Sequence, residues 1–543
     1  MAETPRGTTR RIRRNARGTV RRTTAARPGG EGARPGGEQD AAGAHHRNDA
    51  PDAPGAAHAP LPKAPRATGA AHTAPARPPA RVLVVGGGFV GLYTALGLQR
   101  ALTRDEADVT VVSPDPYMTY QPFLPEAAAG TISPRHVVVP LRAVLDRCTV
   151  VVGEVTAVRH GERAVTLRTA ASKEEGGAGG QRRREYDELV LAPGSISRTL
   201  PVPGLAEHGI GFRTVEEAIG LRNHVVEQLD IAASTRDPAV RDAALTFVFV
   251  GGGFAGVQAV AELEDMARHA TRYYRTIAPG DLKWILVEAA GRILPEADEE
   301  TAHYAVRALR ARNIDVRLGT RLDSCEDRVA HLSDGTRLTT RTLVWTAGVR
   351  PHPLLDATDL PRDARGRLVC TGYLSVAGTR HAWAAGDAAA VPDPTAAEPG
   401  AICAPTAQHA LRQAAVLAGN IAASLRGGPL SEYRHTSAGS VASLGLHKGV
   451  AHVRGRRLTG RPAWLLHRAY HLGRMPTADR RARILAEWTL SGLFRRDVVS
   501  LGSLEHPRAE FETAAGSRPP DIPGPPDIPG PPGTPGPRAP GGS

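Results

Sequence analysis

The chain has little cysteine: four residues in 543, at Cys148, Cys325, Cys370 and Cys403. They are too few and too scattered for a disulfide scaffold, and no C-x-x-C or C-x4-C pair exists for a zinc site or a redox dithiol. No metal is expected, and the context reads as reducing. Lysine is almost missing: Lys63, Lys173, Lys283 and Lys448 are the only four among 68 basic residues. Aromatic residues make up 4%, and residues 1–80 contain none. That stretch lacks the apolar surface for a core and the rings that stack on bases, so no nucleic-acid partner is expected. Nowhere do about 18–20 uninterrupted apolar residues occur that would span a bilayer. The first 27 residues, although Arg-rich, lack the apolar run of about 7–15 that a secretory signal needs.

What remains is a basic chain whose charge is unevenly placed. The net +13 concentrates in residues 1–80 (+8) and 431–500 (+9), leaving the rest mildly acidic at −4. Glycine and proline crowd into both ends, where Pro519–Gly524 repeats as 525–530, and both ends read as disordered tails. The Ala, Gly, Pro and Arg excess resembles the codon bias of a GC-rich bacterial genome. A folded body is expected over about 81–510, enough for several domains.

That body carries the same pattern twice. Arg81-Val82-Leu83-Val84-Val85 leads into Gly86-Gly87-Gly88-Phe89-Val90-Gly91 and an apolar helical pattern. Leu245-Thr246-Phe247-Val248-Phe249-Val250 leads into Gly251-Gly252-Gly253-Phe254-Ala255-Gly256 and another. Strand, G-x-G-x-x-G turn and helix together form a dinucleotide fingerprint, in which glycines let the backbone approach a pyrophosphate at a helix N-terminus. Gly86, Gly88, Phe89 and Gly91 are the candidates in the first unit; Gly251, Gly253, Phe254, Ala255 and Gly256 are those in the second. Two fingerprints imply two nucleotides. The strand 283–288 ends in Glu288, whose carboxylate can accept from both ribose hydroxyls of NAD and repel the 2′-phosphate of NADP. The corresponding first-unit strand ends in Ser113, with Asp115 two residues on, so the ribose contact falls to one of these two.

With these motifs the chain resembles the two-dinucleotide flavoproteins, and among them the type II NADH:quinone oxidoreductases of the actinobacterial branch, over about 81–505. The resemblance implies an α/β fold with two Rossmann-like domains, the NADH domain inserted in the FAD domain, and a C-terminal membrane-associated segment. It divides the chain into a tail (1–80), a first stretch of the FAD domain (81–214), the NADH domain (215–345), a second stretch of the FAD domain (346–430), a basic amphipathic segment (431–507) and a second tail (508–543). Further motifs extend the implied FAD set: Gln121 and Pro122 in the loop under the flavin, Ala192 and Gly194 in the closing turn, Gly386 and Asp387 in the Gly-Asp motif, and Ala407 and Gln408 at the start of a helix beside flavin and quinone. Ala347 and Gly348 follow the return crossover on the NADH side. Lys448 lies in a segment that the family places near the flavin. The chain departs from the family at Gln258, where a glutamate is usual near the nicotinamide, and at Leu411 and Arg412, where His and Gln are usual. Quinone contacts therefore rest mainly on Gln408, and Gln258, Gln408 and Lys448 are the residues expected at the reaction centre.

The implied activity is hydride transfer from NADH to FAD and then two electrons to a membrane quinone, menaquinone or ubiquinone, without proton pumping. Residues 480–496 bracket an apolar stretch with arginines, and Ile484, Leu485, Trp488 and Ser491/Gly492 share one helical face. Such a helix can lie in an anionic interface, which points to the cytoplasmic face of the plasma membrane; packing on the body or on a second subunit is the alternative use of that face. Two other functions fit the motifs: an NADH-dependent reductase of a soluble acceptor, and a non-catalytic NADH sensor.

Overall fold

The run Ala80–Val85 forms strand β1, and its last four residues are buried, as expected where both faces of a parallel sheet are covered. The computed structural model describes residues 78–170, 180–396, 398–436 and 439–494. Residues 1–77 of the first expected tail, the second tail with its Pro-rich repeat, and Arg495-Arg496 lie outside the described residues, while Ala80, at the end of the expected first tail, already belongs to β1. From β1 the chain passes through the first glycine turn into helix α1 (Phe89–Ala101) and strand β2 (Ala107–Ser113). A short helix α2 (Leu124–Ala128) follows. Strands β3 (Thr149–Arg159), β4 (Ala164–Thr169) and β5 (Gln181–Glu185) extend the sheet on one side, and β6 (Glu188–Leu191) returns to the other side of β1.

The chain then leaves this sheet and builds a second one. Its elements are β7 (Gly209–Gly211), helix α3 (Val215–Ser234), β8 (Thr246–Val250), helix α4 (Phe254–Ala270), β9 (Lys283–Glu288), β10 (Ile314–Leu318) and β11 (Thr342–Trp345). The strands lie in the order β7-β11-β8-β9-β10, all parallel. Helix α3 starts with a reciprocal cap, Thr214 accepting from the Glu217 N–H while the Glu217 carboxylate accepts from the Thr214 N–H, which satisfies two orphan donors at once. Only after β11 does β12 (Ala382–Ala384) rejoin the first sheet beside β6, giving β12-β6-β1-β2-β3-β4-β5. One α/β unit thus interrupts the other, the topology the sequence implied. Helix α5 (Ala407–Leu425) lies tightly on α1, where a Cβ on Gly97 would stand 2.5 Å from that of Ala418.

The C-terminal segment adds an antiparallel sheet, β13 (Gly439–Ser443), β14 (Gly449–Val453) and β15 (Arg456–Thr459), then helices α6 (Arg461–Arg474) and α7 (Ala478–Leu493). Here the expected outward stripe of α7 is corrected. Ile484 is fully buried, the Trp488 indole N–H donates to Glu126 Oε2 at 2.8 Å, and the Ser491 hydroxyl donates to the Thr131 carbonyl at 3.2 Å. Leu485 and Gly492 alone of that stripe face out. The cause is Glu126, a buried carboxylate in α2 that needs donors. Arg468 of α6, also buried, supplies two at 3.1 and 3.3 Å, with its guanidinium over the rings of Trp464 and Trp488 at 4.0 and 4.6 Å. Phe123 and Leu124 beside it are core residues, with Phe123 edge-on to Trp488 at 5.7 Å.

Breaking a buried pair leaves a charge without a partner, which costs on the order of 3–5 kcal/mol. Glu126→Gln is therefore expected to lower the unfolding free energy of the body by that order, read as a fall in its urea midpoint. An unchanged midpoint in equilibrium unfolding contradicts this account of how α6 and α7 are held.

Candidate functional site

Gly86 follows β1 with φ +106°, and a Cβ there would lie 2.2 Å from the Ala192 carbonyl oxygen. Only glycine fits. The turn is fixed by the Gly86 N–H donating to Val112 O and the Ala192 N–H to Val85 O, at 2.8 and 2.9 Å. Gly91 fits α1 onto the same turn, since its Cβ would stand 1.8 Å from Gly86 O. At Gly88, by contrast, the space is open, and α1 has no side-chain cap. The free first-turn N–H groups of α1 therefore face an open cradle, the arrangement that accepts a pyrophosphate.

A cleft runs from this turn along the C-terminal ends of the first sheet. Gly86, Gly88, Phe89, Ser113, Asp115, Gln121, Ala192, Gly194, Asp387 and Ala407 all line it. Residues drawn from six separate stretches of sequence are thereby brought together. Gly91, Pro122, Gly386 and Gln408 stand behind this lining: Gly386 donates its N–H to Gln413 Oε1 at 2.7 Å, and the Gln408 amide donates to Gly439 O at 3.1 Å. Sequence reasoning missed Arg213 and His352, which also line the cleft. Arg213 donates to the Ser195 carbonyl and hydroxyl at 3.1 and 3.0 Å, and Ser195 donates onward to Asp387 Oδ2 at 2.5 Å. Burial lowers the Arg213 pKa, partly offset by the Asp387 and Glu217 carboxylates. Asp115 is pushed up by burial and by its neighbour Glu216, which accepts from the Tyr117 hydroxyl. The rim beside Ser113 is thus acidic, suited to hydroxyl donors and hostile to a phosphate.

The second turn repeats the first. Gly251 has φ +115°, and its Cβ would lie 2.7 Å from the Thr346 carbonyl carbon; that of Gly256 would lie 2.0 Å from Gly251 O. Gly253 is open, and α4 has no side-chain cap. Phe254 and Ala255 begin α4, while Ala347 and the exposed Gly348 (φ +88°) follow β11 opposite them. Glu288 does more than the sequence indicated, because its two oxygens accept from the N–H groups of Gly252 and Ala290 at 2.6 and 2.7 Å. It braces the turn while standing at the strand end where a ribose would lie.

Each of the three residues expected at the reaction centre has contacts of its own. Gln258 is buried in α4, its amide nitrogen 3.0 Å from His467 Nε2. His467 packs against His471 (ring centroids 4.6 Å apart), and His471 Nδ1 is 3.3 Å from the Tyr120 hydroxyl. Gln408 is in the first turn of α5. Lys448 is exposed in the turn after β13, beside Arg312, and is not among the residues lining the cleft. None of the four cysteines is paired, and burial raises Cys148, Cys325 and Cys403 to about 11 and Cys370 to about 12. They are protonated thiols with no partner for dithiol chemistry.

Two dinucleotide cradles in one chain, with the second sheet inserted in the first, define a class. The profile of the pyridine nucleotide-disulphide oxidoreductases matches residues 80–415, and the chain belongs to that family. Within it the chain belongs with the type II NADH:quinone oxidoreductases: the Staphylococcus aureus protein of that name is 30% identical over 395 residues, covering 70% of this chain and 92% of that protein. The Staphylococcus haemolyticus protein of the same name is 29% identical over 396 residues, with the same coverage. Among solved structures, NDH2 from Plasmodium falciparum in complex with NADH shares the fold with a TM-score of 0.70 at 17% identity, covering 77% of this chain and 99% of that one.

Two outcomes are expected from this geometry. Glu288→Ala removes the brace on the second turn, so KM for NADH should rise at least tenfold in steady-state assays; an unchanged KM contradicts the bracing role of Glu288. Burial lowers the pKa of His467 and His471, the latter to about 4 from 6.5. The folded chain holds them neutral while the unfolded chain takes up protons, so their contribution to stability is fully present above about pH 6.5 and is lost as pH falls toward 4. His471→Gln should flatten that acid limb of the unfolding midpoint; an equal slope contradicts it.

Proposed function

We propose that the chain is a FAD-dependent NADH:quinone oxidoreductase that moves hydride from NADH to FAD and two electrons on to a membrane quinone, without pumping protons. The observation that carries this reading is the pair of glycine cradles, each closed by a crossover strand, in a chain of this family. FAD, when bound, supplies the two-electron chemistry; the protein's role is to bind, orient and exclude water. In this proposal residues 81–214 and 346–430 hold FAD, with the α1 N-terminus on its pyrophosphate, Ser113 and Asp115 at its ribose, and the Arg213–Ser195–Asp387 chain along its linker. Residues 215–345 hold NADH, with α4 on the pyrophosphate and Glu288 on the ribose. Gln408, at the start of α5, serves the quinone side. Gln258 is neutral and hydrogen-bonded, so it positions and takes no proton.

The membrane reading rests on side chains that the fold leaves uncovered. Leu465, Leu485, Leu490, Leu493 and Phe494 are between 52% and 74% exposed on α6 and α7, amid Arg461, Arg474, Arg481 and Arg483. Among the described residues no helix is long and apolar enough to cross a membrane. We propose that these two helices lie on the anionic cytoplasmic face of a bacterial plasma membrane. Because α6 and α7 are also pinned by Glu126, truncation would unfold the body, and point substitutions are the usable test. Leu485→Gln with Leu493→Gln and Phe494→Gln should abolish cosedimentation with anionic liposomes and raise KM for liposomal menaquinone, leaving NADH oxidation by a water-soluble acceptor unchanged. Undiminished liposome binding contradicts the membrane assignment.

A further inference from the structure

Three side chains distant in sequence meet beside the start of α5. Asp393 and Cys403 flank the loop that leads to the helix, and His409 lies in its first turn. One ligand-type atom from each comes within 4.8 Å of the others. His435, on the segment that follows α5, stands next to them: its ring centroid is 5.7 Å from that of His409, and its Nε2 is buried without a hydrogen-bond partner. A buried polar atom left unsatisfied is costly, and this one belongs to a ring that stands edge-on to a member of the cluster.

The neighbours orient each group. Thr395 donates from its N–H and its hydroxyl to Asp393 Oδ1 at 3.0 and 2.7 Å, leaving Oδ2 to coordinate. The same hydroxyl lies 3.0 Å from the His435 carbonyl. The Tyr433 hydroxyl is 2.9 Å from His409 Nδ1; a proton kept on Nδ1 and donated to it would leave Nε2 as the coordinating atom, the role that outer hydrogen-bond partners play for metal-bound histidines. Cys403 is buried, its Sγ 3.7 Å from the Pro392 carbonyl.

We propose that Asp393, Cys403, His409 and His435 form a binding site for one zinc-class divalent cation. One sulfur, two imidazole nitrogens and one carboxylate oxygen suit Zn2+ in tetrahedral geometry, with bonds of roughly 2.0–2.3 Å. Such bonds place ligand atoms about 3.3–3.7 Å apart, so on binding the Asp393, Cys403 and His409 atoms would draw together and the His435 ring would swing in to complete the set. Coordination releases the Cys403 thiol proton to solvent. The resulting thiolate and the Asp393 carboxylate balance the dication, and they also offset the nearby Arg412, whose guanidinium donates to Gln408 O at 3.1 Å. The bound ion would tie the loop before α5, the first turn of α5 and the segment after it into one unit. Ala407 and Ala410 of that helix line the cleft, so the ion would stiffen one wall of it.

The test uses the full chain with its native cofactor, stripped of metal by a chelator and titrated with Co2+. One Co2+ per chain is expected, with a thiolate-to-cobalt charge-transfer band and tetrahedral visible bands, all displaced by one equivalent of Zn2+. Cys403→Ser should abolish the charge-transfer band, and His435→Ala should weaken binding at least tenfold. Cofactor absorbance and the metal-free unfolding midpoint report whether each variant folds; should Cys403→Ser fail to fold, Asp393→Asn and His435→Ala carry the same reading. Absence of the bands in the wild-type chain, or bands and affinity unaltered in the folded variants, would overturn the proposal.

Discussion

Everything the cleft can do depends on two places where backbone meets backbone with no room for a side chain. At Gly86 and at Gly251 the turn leaving the central strand presses against the crossover segment, Ala192 in one case and Thr346 in the other. That closeness sets the direction of α1 and α4, and so the direction of their uncapped N–H groups. It also fixes where the flanking strands β2 and β9 end, and therefore where Ser113 and Glu288 stand. A side chain at either glycine would push the crossover away and open the sheet at its working edge. The repetition of this geometry in two sheets, one inserted in the other, is what makes the chain a two-nucleotide protein.

A second constraint joins the working edge to the C-terminal helices. Glu126 lies just beyond the loop that supplies Gln121 to the cleft, and its charge is met by Arg468 and Trp488, more than 340 residues further on. A buried ion pair adds little net stability over an apolar substitute, but it tolerates few alternative arrangements. Here it decides which side of α7 turns inward. The apolar residues that remain outside follow from that choice, and the proposed membrane surface is the remainder of a packing problem solved in the core. The histidines of α6 share this interior, and Gln258 meets His467 there without a formal charge on either group.

Much of the architecture was legible because it is local. Strand, glycine turn and helix are contiguous, so the fingerprints at 86–91 and 251–256 could be read from a few residues each. The Gly386-Asp387 turn and the strand ending in Glu288 were readable in the same way. Features made of distant partners were not. Nothing next to Arg213 marks it as the neighbour of Asp387, since its link runs through Ser195. Trp488 and the arginines around it were read as an interfacial pattern because amphipathicity reports that a helix has two faces and is silent on which one the body takes. The bracing role of Glu288 was hidden for a similar reason, as a strand-end acid looks the same whether its oxygens meet a ribose or backbone N–H groups. The cluster of Asp393, Cys403, His409 and His435 escaped spacing rules for zinc because the fold, and no short motif, brings it together.

The account stands or falls on a bound flavin that NADH can reduce and a quinone can reoxidise. The most direct measurement is anaerobic visible absorption of the purified chain, first with NADH and then with a menaquinone analogue in lipid. The account predicts about one flavin per chain, bleached by NADH and restored by the quinone. A chain that binds NADH with no flavin band, or with a band that NADH leaves unbleached, would contradict it.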